Sequence, residues 1–203
     1  VSPRLTLALE GGELELADEG RILLLHPAAD AELNALPNDR LLAVQPFRPD
    51  HDALERRGIA VAPALPDGET FAAAVVFQPR SKDLARALVA LAAGATDGPV
   101  IVDGAKTDGI ESLLKDLRRR VDLRGTLSKA HGKIAWFAAD QGGPGFDDWA
   151  EVTSDVDRFR TRPGVFSADA VDPASALLAE HLPEKLGGHV IDAGAGWGFL
   201  SDR

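Results

Sequence analysis

A chain of 203 residues, 45% of them hydrophobic, is long enough to bury one large core or two small ones. It has no Cys, which removes disulfides and thiolate metal sites, and no apolar run long enough to cross a bilayer as a helix, so a cytoplasmic protein is expected. A net charge of -10 argues against a protein that coats nucleic acid without specificity.

That charge is uneven. From Lys106 to Lys133 there are eight Lys or Arg against four Asp or Glu, so this stretch is a basic island on an otherwise acidic chain. Arg118, Arg119, Arg120, Lys129 and Lys133 are the candidate RNA contacts within it. The alternative is an ordinary solvated helix face.

Residues 4–16 alternate weakly around Gly11-Gly12, which predicts a hairpin or two short strands. Arg21 to Leu25 reads as a buried strand running into His26-Pro27, a turn without glycine. Leu41 to Val44 is the next strand, Asp50 to Arg57 a short helix stopped by Gly58, and Ile59 to Val61 a third strand. Thr70 to Phe77 has the continuous apolar character of a strand buried on both faces. Lys82 to Ala93 is a helix with Leu84, Ala87, Leu88 and Leu91 on one face, closed by Gly94.

Pro99 to Val102 is again a strand. Asp108 and Glu111 have the spacing of a capping box for a helix whose stripe is Ile110, Leu113, Leu114 and Leu117. That helix ends at Arg118-Arg119-Arg120, where positive charge suits the dipole without any RNA. Leu123 to Ser128 and Lys133 to Phe137 read as two strands joined through Gly132. Alternating strands and helices closed by a strand pair describe an α/β domain with a mostly parallel sheet. Gln141-Gly142-Gly143-Pro144-Gly145 is the best linker, and it divides the chain into 1–150 and 151–203.

In the second part Asp172 suits a helix N-cap and Pro173 its first position. His189 to Asp192 then reads as a strand, Gly194, Gly196 and Gly198 as a tight loop, and Phe199-Leu200 as a helix start, an arrangement that offers backbone N–H groups to a ligand. The dinucleotide fingerprint needs its third glycine three residues after the second, but here Gly198 follows Gly196 by two.

Asp192-x-Gly194-x-Gly196-x-Gly198 resembles instead the first motif of class I S-adenosylmethionine-dependent methyltransferases. Arg162-Pro163-Gly164-Val165-Phe166-Ser167, Asp172 and Leu177-Leu178 resemble the lead-in of the small-subunit ribosomal RNA guanine-N2 methyltransferases, an RsmC-like "methyltransferase small" family. The match departs from the family at Pro173-Ala174, where a glycine is usual, and at Ala195, where many members carry Cys. The family layout is a degenerate N-terminal methyltransferase-like copy followed by a catalytic copy. Gln78-Pro79-Arg80 looks like a decayed form of the Asn-Pro-Pro-aromatic motif that holds the target amine. Val100 to Gly104 also resembles the N-terminal copy.

The resemblance implies a Rossmann-like, RNA-recognising or structural domain at 1–150 and the start of a catalytic domain at 151–203. It implies S-adenosylmethionine as cofactor, held by Asp192, Ala193, Gly194, Ala195, Gly196 and Gly198, with Phe166 and Ser167 covering it. It implies ribosomal RNA or the small ribosomal subunit as partner. The chain has no Met and stops one turn past the loop, so ~100–150 further residues, with the catalytic ones among them, are expected beyond Arg203. Alone, these 203 residues are expected to be inactive. The scattered His26, His51, His131, His181 and His189 show no metal-ligand spacing, so no metal is expected. Two other readings stay open: the same fold acting on protein or another RNA, and a non-catalytic RNA-docking or chaperone-like module.

Overall fold

The computed structural model describes residues 3–139, 145–150, 153–156, 158–183 and 185–203. Four residues of the expected linker, Gln141 to Pro144, lie outside the described residues. The chain divides into two compact units, Val1–Ala150 and Glu151–Arg203.

The first unit begins with helix α1 (Arg4–Glu10), then β1 (Ile22–Leu25), β2 (Leu41–Val44), α2 (Arg48–Arg56), β3 (Ala60–Ala62) and β4 (Ala73–Phe77). It continues with α3 (Lys82–Ala95), β5 (Pro99–Ala105), α4 (Ile110–Leu117), β6 (Gly125–Lys129) and β7 (Gly132–Ala138). The seven strands form one sheet in the order β3-β2-β1-β4-β5-β7-β6. The pairs from β3 to β5 are parallel, and β7 enters antiparallel to both β5 and β6. This is a Rossmann-like, class I methyltransferase-type α/β fold.

Burial explains the order of the strands. Ile22, Leu23, Leu24 and Leu25 are all fully buried, as both faces of a central parallel strand must be. Alternate side chains feed two cores. Leu23, Leu25, Ala74, Val76, Val100 and Val102 pack against α3 and α4, whereas Ile22, Leu24, Ala73, Val75 and Ile101 pack with Leu5 and Ala8 of α1 and Leu54 of α2. The period of two in each strand thus makes a three-layer sandwich from nearly continuous apolar runs.

Four local expectations are corrected. Residues 4–10 form a helix, not strands, because Leu5 and Ala8, three apart, bury one helical face while Gly11-Gly12 ends it. Helix α3 runs through Gly94 to Ala95, and its buried residues are Ala85, Ala87, Val89, Ala92 and Ala95, so Ala87 is buried as expected whereas Leu91 is turned to solvent. Small side chains let this helix lie close to the sheet. Asp108 makes no capping bond to α4, whose N-cap is Gly109; Asp108 closes a short 3-10 turn before it. The β6–β7 connection is the two-residue turn Ala130-His131, both at positive φ, and Gly132 already belongs to β7. A Cβ at Gly132 would stand 2.3 Å from Arg4 Nη1, so this glycine makes room for a guanidinium.

In the second unit β8 (Ser154–Val156) and β9 (Phe159–Thr161) form an antiparallel hairpin, followed by α5 (Pro173–His181). Asp172 caps α5 by accepting from Ser175 N at 2.8 Å, and Pro173 is its first residue. His189 to Asp192 does not form the expected strand, and Ile191 is 91% exposed. A strand needs a ladder partner, and no described segment of the unit pairs with it. The glycine loop leads into a single 3-10 turn, Leu200–Asp202, rather than an α-helix.

Candidate functional site

Each unit carries a cleft, and the two differ in the way that matters for a cofactor. In the first unit the cleft lies at the carboxyl ends of β1, β4 and β5, where the strand order reverses and α/β sheets bind ligands. It encloses about 430 Å³ and is lined by His26, Ala28, Asp30, Glu32, Gln78, Pro79, Arg80 and Asp108, with Leu5 entering from α1. The loop after β1 has no glycine and is pinned shut. Gln45 Nε2 donates to Pro27 O at 2.8 Å, Ala29 N to Asp50 Oδ1 at 3.1 Å, and Arg57 donates to the carbonyls of Ala29 and Ala31 at 2.8 and 2.9 Å. Burial lowers the His26 imidazole below its ordinary value, so it is neutral at pH 7.

The residues resembling a decayed target-holding motif have become structural. Gln78 Nε2 donates to Asp108 O at 2.6 Å, tying the end of β4 to the turn before α4. Its Oε1 lies over Gly104, where a Cβ would approach to 2.8 Å. Beneath them Asp103 is buried against Arg4, with Arg4 Nε donating to Oδ1 at 2.5 Å and Nη2 to Oδ2 at 3.2 Å. Burial pushes the Asp103 carboxyl up, against the pull of the guanidinium.

In the second unit two segments that the sequence keeps apart, 166–175 and 192–200, meet. Phe166, Ser167, Asp172 and Ser175 from one side and Asp192, Gly194, Ala195, Gly196, Trp197, Phe199 and Leu200 from the other line one small cleft of about 90 Å³. Ala193 and Gly198 belong to the same loop but are not on the cleft wall. Gly194 has φ +90° and Gly196 φ +59°, and a Cβ built on Gly194 meets nothing within 4 Å. The floor of the loop is therefore open backbone that side chains would obstruct, and only glycine holds these angles without strain. Gly198 N donates to Ala195 O at 2.9 Å, closing the turn, and Asp192 Oδ2 accepts from Ser201 Oγ at 2.6 Å. Trp197 Nε1 donates to Ser167 O at 3.2 Å across the cleft, a contact that residue spacing does not reveal.

The basic island runs the length of α4, and Lys133, Lys106 and Arg118 all act on the same Glu111 carboxyl. Lys133 pairs with Glu111 at 2.9 Å near the start of α4, with Lys129 close by in the hairpin, whereas Arg118, Arg119 and Arg120 sit at the other end of that helix, about 10 Å away. Lys133 beside Glu111 holds that carboxyl below the usual range. Arg120 forms a two-pronged pair with Asp148 at 2.7 and 2.6 Å and lies 4.5 Å above the Trp149 ring. Arg119 leans toward Asp116 at 3.7 Å, and Arg118 is exposed. Among the described residues no group of three or more His, Asp or Glu is placed to hold a metal ion, and no helix is long and apolar enough to cross a membrane.

The family model of the methyltransferase small domain matches residues 157–202, which hold the second cleft. The ribosomal RNA small subunit methyltransferase C of Pseudomonas fluorescens is 32% identical over 90% of this chain and 57% of its own length. Its counterpart in Stutzerimonas stutzeri is 32% identical over 98% of this chain and 62% of its own length. The chain thus spans somewhat more than half of these curated relatives. The T. thermophilus 16S rRNA N2 G1207 methyltransferase (RsmC), solved with AdoMet and guanosine, matches 88% of this chain and 51% of that one at a TM-score of 0.62 and 21% identity. A ribosomal protein L11 methylase from Lactobacillus delbrueckii matches 66% of this chain and 78% of its own at a TM-score of 0.51, which again shows the fold. By family model and sequence the chain is similar to the RsmC-like proteins of the methyltransferase-small family, and the solved structures show the same fold.

Proposed function

We propose that this chain is part of an S-adenosylmethionine-dependent methyltransferase that modifies the N2 amine of a guanine in small-subunit ribosomal RNA. The observation that carries the reading is the convergence of Phe166-Ser167 and the Asp192 to Gly198 loop on one cleft. The chemistry such a cofactor supplies is an electrophilic methyl group. The chain's own part is positioning, which accounts for much of the rate in a transfer that needs in-line geometry. Gly194 and Gly196 leave the backbone free to pass beneath the methionine portion, and Asp192, already steadied by Ser201, offers its other carboxylate oxygen to the cofactor's ammonium group. Phe166, 68% exposed, has the apolar surface to cover the bound group.

In this reading residues 1–150 are the degenerate copy, serving RNA recognition or structural support, and residues 151–203 open the catalytic domain. The pinned loop after β1 and the inward use of Gln78 support a first unit that binds no cofactor. Arg118, Arg119 and Lys129 are the RNA contacts best placed at the surface, while Lys133 and Arg120 contribute through charge already shared with neighbours. The substrate is ribosomal RNA or the small subunit, in the cytoplasm. Calorimetry with S-adenosylmethionine tests the assignment: binding by the parent and its loss in Gly196→Val are expected, and equal binding by both would refute the site.

A further inference from the structure

Trp197 stands where the glycine loop turns, and its ring is held on both sides. Its centroid lies 5.1 Å from that of Phe159 on β9 and 5.6 Å from that of Phe199. The indole N–H points across the cleft to the carbonyl of Ser167 at 3.2 Å. Ser167 itself sits at φ +54°, an angle that costs a non-glycine residue energy and persists only when surrounding contacts impose it. Three such contacts are present. Ser167 Oγ donates to Ala170 O at 2.7 Å, the Thr161 hydroxyl lies between the carbonyls of Ser154 and Ala168, and the indole holds the Ser167 carbonyl. Of these, only the indole comes from the glycine loop.

We propose that Trp197 is a positioning residue: its N–H bond to Ser167 couples the Pro163 to Ser167 loop to the glycine loop and sets the opening into which the cofactor fits. The proposal rests on the cofactor reading above. Without the bond, Ser167 can relax toward negative φ, and Phe166 moves with it because the two share a peptide plane. Phe159 and Phe199 keep an aromatic ring at position 197 seated whether or not it carries an N–H, so packing and hydrogen bonding can be separated.

The test is calorimetry with S-adenosylhomocysteine on the parent, Trp197→Phe, Trp197→Ala and Gly196→Val, with hydrogen exchange at residues 164–168 in the ligand-free proteins. Trp197→Phe keeps the ring and loses one hydrogen bond, so affinity should fall about 3- to 10-fold and exchange at 164–168 should quicken. If Trp197→Phe matches the parent in both measurements while only Trp197→Ala is impaired, Trp197 is a packing residue and the proposal is overturned. Exchange alone decides the matter if the Phe variant is less stable, because a general loosening would quicken exchange well beyond 164–168. A parent that binds no better than Gly196→Val would instead bring down the cofactor reading, and this inference with it.

Discussion

Replacing Arg4 by Met would remove the guanidinium from a carboxylate that the fold has taken out of water. Both side chains are almost fully buried, at 5% and 9% exposure, and Arg4 also donates to the carbonyls of Lys129 and Ala130 at 3.1 and 3.3 Å. Breaking a buried pair by deleting one partner costs about 3–5 kcal/mol, because the other charge is left without compensation. With a urea slope of about 2 kcal/mol per molar, that becomes a midpoint lowered by about 1.5–2.5 M. The loss should depend on pH with a definite sign. Burial already raises the Asp103 carboxyl, and without Arg4 nothing opposes it, so the folded variant holds a proton that the unfolded chain releases. Stability tied to that proton is present at low pH and is lost as pH rises through the folded value. The deficit should therefore shrink on acidification, by up to about 1.4 kcal/mol per pH unit. Urea unfolding of the whole chain, followed through the buried Trp136 and Trp149, measures both effects. Changing Asp103→Leu in the Arg4→Met background should recover much of the loss. A deficit below about 1 kcal/mol, or one that grows toward acid pH, would refute a buried Arg4–Asp103 pair.

Three further outcomes are expected. His26 is kept neutral by burial, so the unfolded chain takes up its proton first as pH falls from about 7; stability should decline there, and His26→Asn should flatten the profile, a change absent if the imidazole is freely hydrated. Trp149→Ala removes a buried ring packed 5.3 Å from Phe146 and should cost about 3–5 kcal/mol in chemical unfolding, whereas a loss under 1 would mean that residues 145–150 do not dock on α3. If Arg118 and Arg119 meet RNA phosphates, replacing both by Ala should reduce the slope of log K against log salt for a single-stranded fragment by about 1.4, and an unchanged slope would remove them from the interface.

The sequence by itself determined the elements whose signal is local. Ile22 to Leu25 could only be a strand buried on both faces, and Ile110, Leu113, Leu114 and Leu117 could only be one side of a helix, because period and polarity are written in neighbouring residues. The glycine angles from Gly194 to Gly198 were legible for the same reason, since positive φ is the conformation glycine takes without strain, whereas the positive φ of Ser167 is set by its neighbours in space. Residues 4–10 were misread because Gly11-Gly12 suits a hairpin turn as well as a helix stop, and only the sheet behind Leu5 and Ala8 decides between them. What tertiary structure alone decided were the pairings across distance. Arg4 meets Asp103 across ninety-nine positions, Gln78 is spent on the turn before α4, Lys133 pairs with Glu111 across twenty-two, and Trp197 reaches Ser167 across thirty. Such contacts depend on strand order and on which face of the sheet each helix covers, and neither is carried by any short window of the chain.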